Sequence, residues 1–239
     1  MAGDKGAMRT LSLLAVLAGT LASAAPASAA TRNFGIRSFE KIRVEGPYLV
    51  RLKTGVAPFA RAKGSQAALD RIDLEMRGNV LLVRAGPFDR NPSAAALSPV
   101  EIELGTHDLF SAALNGPGSL AIDKVKGLKF DLSVQGSGTT DIASVAVDQL
   151  ALNLGGNASA RLSGKAKNFT AILRGLSTLD ASALDSSDAV LGAEGPATVR
   201  AKVTNAVKVD GRGAASFTLA GRPSCTLKVQ GSASVTGCK

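Results

Sequence analysis

The sequence predicts an all-β fold, a single-stranded parallel β-helix with coils of about 20 residues and less regular strands at its N-terminal end. The first observation is a phrase that returns from Leu114 to Cys238: NGPGSLAI, QGSGTTDI, GGNASARL, RGLSTLDA, EGPATVRA, DGRGAASF and QGSASVTG. Anchored on Gly116, Gly136, Gly156, Gly175, Gly195, Gly211 and Gly231, the copies stand 20, 20, 19, 20, 16 and 20 residues apart. The second is alternation of period two on both sides of each anchor, which means strand, bend, strand, each with one buried face.

In register, the copies form columns. Two residues before the anchors stand Leu114, Val134, Leu154, Leu173, Ala193, Val209 and Val229, and four before stand Ala112, Leu132, Leu152, Ala171, Leu191, Val207 and Leu227. Six before, the first four copies carry Phe110, Phe130, Leu150 and Phe169. After the anchor the fourth column (Leu120, Thr140, Ala160, Leu179, Val199, Ala215, Val235) and the sixth (Ile122, Ile142, Leu162, Ala181, Ala201, Phe217) are mostly apolar. The second column is small throughout (Gly118, Gly138, Ala158, Ser177, Ala197, Gly213, Ala233), as a tight corner requires. An antiparallel barrel with a strand every ten residues would not make like residues recur at twenty. One coil alone buries about five apolar side chains at ~2 kcal/mol each, against a backbone cost of ~1–2 kcal/mol per residue. Stacking of coils ~4.8 Å apart must close that gap.

Taken in order, the chain starts with a basic Lys5 and Arg9, an apolar run Leu11–Leu21 and Ala27-Ser28-Ala29, the plan of a signal peptide over residues 1–29. Met8 is an alternative start for the same signal. Residues 30–239 are expected as one domain. Phe34 to Leu52 alternates as strands around a turn at Gly46-Pro47, with Phe39, Ile42, Val44, Val50 and Leu52 inward. Gly55–Gly64 is a connection with a further strand near Phe59, and Gln66–Ile72 holds a turn of helix. Ile72–Met76, the turn Arg77-Gly78-Asn79 and Val80–Val83 form a hairpin-like unit. Gly86–Pro99, with three prolines, is a surface loop, Val100–Leu104 is a strand, and regular coils begin near Leu109. No segment beyond the signal is apolar enough to span a bilayer.

Removal of residues 1–29 leaves 26 basic and 18 acidic residues, net +8. The bases are scattered, as on a solubilising surface, and an excess of base also suits anionic glycans or headgroups. Nucleic acid is not an expected partner, because single-strand binders need stacking platforms and the chain has one Tyr (Tyr48) and no Trp. Cys225 and Cys238 are expected to form a disulfide outside the cytoplasm. The only histidine, His107, has no companion at metal-ligand spacing, so no metal site is expected.

The stretch Phe39-Glu40-Lys41-Ile42-Arg43-Val44-Glu45-Gly46, the strand-turn-strand Leu74–Val83, the triplet Gly136-Ser137-Gly138 and the closing Gly221-Arg222-Pro223 resemble the GIN domain family. Its members are exported bacterial proteins of unknown function, described as proposed auto-transporter adhesin heads. The likeness covers about 39–221 and leaves 222–239 as a C-terminal capping coil. It implies a right-handed β-helix and brings no catalytic residues. Gly175-Leu176-Ser177 and Gly195-Pro196-Ala197 depart from the triplet, which limits it to turning the chain.

Two polar columns are the candidate site. The fifth after the anchor carries Ala121, Asp141, Arg161, Asp180, Arg200, Ser216 and Thr236, so four charges alternate in sign. The third carries Ser119, Thr139, Ser159, Thr178, Thr198, Ala214 and Ser234. Opposite charges in register favour a stacking order, at ~0.2–1 kcal/mol per exposed pair, and hydroxyl ladders ordinarily satisfy the turn backbone. Together they make a flat strip suited to an anionic envelope glycan or another surface component. Asp141 and Asp180, ~10 Å apart on a two-coil spacing, would suit an inverting carboxylate pair. Arg161 between them would keep both ionised and deny the site a general acid. With one histidine there is no serine-nucleophile constellation, and no GK[ST] phosphate loop or other cofactor motif occurs. The expected function is therefore adhesion, binding or scaffolding at the cell envelope, in the periplasm or on the surface, without catalysis. The competing class is a polysaccharide-active enzyme.

Overall fold

The alternation that defines the columns becomes five long strands that bend around corners: β10 (Val125–Gly136), β11 (Thr139–Gly156), β12 (Ser159–Gly175), β13 (Thr178–Glu194) and β14 (Thr198–Gly213). Each pairs in parallel with the next, like residue on like residue: Phe130 beside Leu150, Leu152 beside Ala171, Leu173 beside Ala193. The computed structural model describes residues 30–86 and 98–239, and these form a β-solenoid of about 6 turns. The expected signal peptide and residues 87–97 of the expected surface loop lie outside the described residues. Each regular circuit has three flat runs, as in 139–142, 145–147 and 149–156 of β11. The inward columns merge into one continuous core that runs the length of the solenoid.

The coils are held close by the anchor column. A Cβ on Gly156 or Gly175 would stand 2.7 Å from the carbonyl oxygen of the anchor one coil below, and their φ values of +84° and +82° disfavour any other residue. At the second column a Cβ on Gly118 would meet the Gly46 oxygen at 2.6 Å. The corner therefore admits only residues with little or no side chain.

One anchor differs from the expected one. Gly213, not Gly211, stacks on Gly195 and lies beside Gly231. Gly211 pairs with Ala193 inside the preceding strand, and a Cβ there would stand 2.9 Å from the Phe217 ring. The absent side chain is room for that phenylalanine. A shift of two residues preserves the alternation of faces, so DGRG offers two glycines that pattern alone does not separate. The last two intervals become eighteen residues each. Ser216 then joins the third column, Phe217 the fourth and Thr218 the fifth.

Phe110 is also displaced from its expected place. It is 42% exposed, whereas Phe130 beside it is fully buried. Its backbone is in register, since its carbonyl accepts from the Asp131 N–H at 3.0 Å and its N–H donates to Glu40 O at 2.8 Å. Leu109 points into the core instead, because the chain reaches this coil from His107-Asp108 rather than along a preceding strand.

The N-terminal strands are β1 (Ala30–Phe34), β2 (Lys41–Glu45), β3 (Tyr48–Thr54), β4 (Phe59–Gly64), β5 (Ile72–Arg77), β6 (Val80–Ala85), β7 (Val100–Thr106), β8 (Ser111–Asn115) and β9 (Ser119–Ile122), with one helical turn, α1 (Gln66–Leu69). Strands β2 and β3 form a coil of their own around Gly46, between β6–β7 on one side and β8–β9 on the other. Thr106, fully buried, donates to Phe39 O and accepts from Phe39 N–H, which fastens the start of this coil to β7. Strand β4 turns back antiparallel to β7, and β1 adds antiparallel to β4. This return covers the sheet edge that a solenoid otherwise leaves open. Strand β1 falls before the first alternation visible in the sequence.

At the other end, β15 (Ser216–Ala220), β16 (Ser224–Gly231) and β17 (Ser234–Thr236) complete the stack on β14. Cys225 takes the position beside Val207, and its disulfide to Cys238 closes the final coil with Cα atoms 5.8 Å apart. On the chain-entropy model a loop of this size contributes ~3 kcal/mol.

Gly175→Ala is expected to destabilise the fold by about 2–4 kcal/mol. Gly192→Ala, with nothing nearer than 3.9 Å to the new Cβ, should stay near neutral in the same urea titration. Thr140 lies in the core with its hydroxyl unbonded. Thr140→Val, which keeps the shape, is expected to raise stability by about 1 kcal/mol, read as a higher urea midpoint at unchanged slope.

Candidate functional site

After each anchor corner the chain runs in a short straight strand whose outward residues fall in two adjacent columns. With the anchor at Gly213, the third column is unbroken: Ser119, Thr139, Ser159, Thr178, Thr198, Ser216 and Ser234 stand in register. From Thr139 onward their backbone N–H groups are already bonded to the second-column carbonyls one coil away. Thr139 N donates to Gly118 O at 3.0 Å, Thr178 N to Ala158 O at 2.9 Å and Ser216 N to Ala197 O at 2.9 Å. The ladder hydroxyls therefore do not serve the turn. Among the described residues, those of Thr139, Ser159, Thr178, Thr198 and Ser216 make no hydrogen bond to another protein group. Ser177, one column away, does that work, donating to Arg174 O at 3.0 Å.

The charged column begins lower than the seven phrases suggest. Glu103 of β7 and Arg51 of β3 precede Ala121, and then follow Asp141, Arg161, Asp180, Arg200, Thr218 and Thr236. Arg51 was within reach of sequence reasoning, because Gly46-Pro47-Tyr48-Leu49-Val50-Arg51-Leu52 has the spacing of the later copies. Within this column the ion pair found is Arg161 with Asp180, N to O 3.9 Å. Asp141 and Arg161 are register neighbours but form no ion pair within 4 Å among the described residues. Arg51 turns sideways to Glu101 at 2.6 Å.

Asp180 is held most firmly by a residue that the columns do not reveal. Ser182 donates its hydroxyl at 2.6 Å and its N–H at 3.2 Å to Oδ1. These two bonds first, and then the charges of Arg161 and Arg200, keep the Asp180 carboxyl below the usual carboxylate range. Arg161 and Arg200 are both exposed, and Arg200 forms no ion pair among the described residues. The strip thus offers a row of free hydroxyls beside arginines on alternate coils. Among the described residues no group of three or more His, Cys, Asp or Glu could hold a metal ion, and no helix is long and apolar enough to cross a membrane.

Because its pKa is lowered in the folded state, Asp180 contributes stability above its unfolded pKa of ~3.9 that is lost as pH falls through the folded value. Asp180→Asn is accordingly expected to lower the melting temperature at pH 7, with the deficit shrinking as pH falls below ~3.9, measured by circular dichroism.

The fold is shared with solved structures. A crystal structure named as a putative adhesin, from Bacteroides fragilis, superposes with a TM-score of 0.73 at 18% identity over 88% of this chain and 94% of that one. One named as a putative lipid binding protein, from Parabacteroides distasonis, gives 0.69 at 15% identity over 87% and 95%. A putative adhesin from Parabacteroides merdae gives 0.65 at 14% identity over 87% and 95%. At such identities the likeness is one of fold. No curated protein matches the sequence. Residues 38–223 match the family model described as "Putative auto-transporter adhesin, head GIN domain", and the chain belongs to that family.

Proposed function

We propose that the protein is an exported, non-enzymatic binding scaffold of the cell envelope, and that the strip of hydroxyls and arginines is its partner surface. The observation that carries the reading is the hydroxyl ladder, whose members Thr139, Ser159, Thr178, Thr198 and Ser216 are left unbonded while backbone groups satisfy the turns. Hydroxyls at ~4.8 Å spacing, with Arg161 and Arg200 alongside, fit a repeating polymer that bears both hydroxyl and acid groups, such as an anionic glycan. Arginine supplies planar donors suited to carboxylate or phosphate. The strip is flat and its columns contain no aromatic platform, so it suits adhesion through many weak contacts along a polymer rather than tight capture of one sugar. The names borne by the structural relatives, adhesin in two cases, favour the same class.

Binding is preferred over glycan cleavage because Asp180 is kept ionised by Ser182 and its flanking arginines. A hydrolase needs one carboxyl protonated to donate to the leaving oxygen. Asp141→Asn should therefore change no turnover of acidic glycans.

The chain from residue 30 onward is expected to be retained on immobilised acidic envelope polysaccharide, with retention falling as salt rises. Arg161→Glu combined with Arg200→Glu should abolish retention, with a small drop in melting temperature from repulsion of Asp180 that leaves the circular dichroism spectrum of the folded chain unchanged. Undiminished binding by that double variant would remove the strip as the partner surface.

A further inference from the structure

On the sheet before the anchor corner, the outward residues of four successive coils form an ordered array. Thr170, Val190, Lys208 and Thr226 lie in one row along the solenoid, and Ile172, Gly192, Asp210 and Lys228 in the next. The array encloses a depression of about 450 Å³. Its lower half is apolar, with Ile172 40% and Val190 49% exposed, and Gly192 between them contributes no side chain. The row of Thr170 continues downward to Ala151, which extends this tract by another coil. Its upper half carries a net positive charge. Lys208, Lys228, Arg212 and Arg174 stand among two carboxylates, Asp210, which Arg212 engages at 3.3 Å, and Glu194, which Arg174 engages at 3.9 Å. Lys208 and Lys228 form no ion pair among the described residues.

We propose that this depression binds an anionic amphiphile, with its acid group between Lys208 and Lys228 and its alkyl chain lying down the solenoid over Gly192, Val190 and Ile172. Large side chains such as Ile172 and Val190 expose apolar surface here although the same sheet has a sealed core beneath them. A cation-free apolar strip would admit any hydrocarbon, and a lysine pair alone would admit any anion. The two features lie within adjacent coils, so their combination selects a molecule carrying both. Three coils of tract span ~15 Å, enough for an extended chain of about ten carbons. Gly192 sets the depth, because any side chain there would project into the tract, and the fold would tolerate one, the nearest atom to a new Cβ being 3.9 Å away.

The test titrates the chain from residue 30 onward with monomeric dodecanoate, followed by calorimetry. Dodecanol, inorganic phosphate and phosphatidylglycerol vesicles are the comparison probes. Dodecanoate is expected to bind one to one. Gly192→Leu should weaken it at least tenfold by filling the tract. Lys208→Ala with Lys228→Ala should weaken dodecanoate about tenfold while leaving dodecanol binding unchanged. The melting temperatures of both variants should match the unaltered chain. Equal affinity for phosphate and dodecanoate, or unchanged dodecanoate binding by Gly192→Leu, would overturn the site. So would capture by vesicles without binding of monomeric dodecanoate. Retention on acidic polysaccharide is expected to be the same in all these variants, which separates this site from the strip on the other sheet.

Discussion

Close backbone contact at the glycine corner is the constraint on which the rest depends. Where anchor lies on anchor, the carbonyl of one coil occupies the space in which a Cβ of the next would sit. That approach places consecutive strands within hydrogen-bonding distance and locks the register, so that every column becomes a continuous row. A one-residue slip would invert inside and outside along a whole strand. Core packing then accommodates the rows locally, large beside small, as Phe217 against Gly211 shows.

The same contact determines what the surface can do. Because second-column carbonyls accept from third-column N–H groups across the coil boundary, the outward side chains there are relieved of any structural duty. Other polar side chains are not so free. Ser186 donates to Lys202 O at 2.7 Å and Thr54 to Lys124 O at 2.8 Å, each fastening an irregular part of a circuit. Polar residues on regular coils and polar residues at irregular joints thus have different roles despite similar composition.

Much of this was legible in the sequence. The coil repeat and most of the inward columns follow from spacing and alternation, because periodic packing writes itself into a periodic chain, and the disulfide follows from a single pair of cysteines. The choice of Gly213 over Gly211 was not legible, since both keep the same faces inward and only the position of the Phe217 ring separates them. Nor was the exposure of Phe110, which depends on how the chain enters its coil. Strand β1 and the antiparallel turn-back of β4 are long-range pairings with no repeat to announce them. In the candidate strip, alternating charge was visible, but the hold of Ser182 on Asp180 is a local bond that no column contains.

The insertion of β2–β3 between β6–β7 and β8–β9 bears on the order in which the molecule can assemble. From β10 onward each circuit needs only its predecessor as a template, so ordering can spread along the chain one turn at a time. The circuit around Gly46 has no such neighbour when it is made. Its two flanks come from residues 80–106 and 111–122, so it stays without parallel partners until the chain beyond it has been delivered. Closing those loops before any contact rewards them is the costly step. The circuit around Gly46 therefore waits for the chain up to residue 122, and Ile42, Val44, Val50 and Leu52 stay uncovered over that interval.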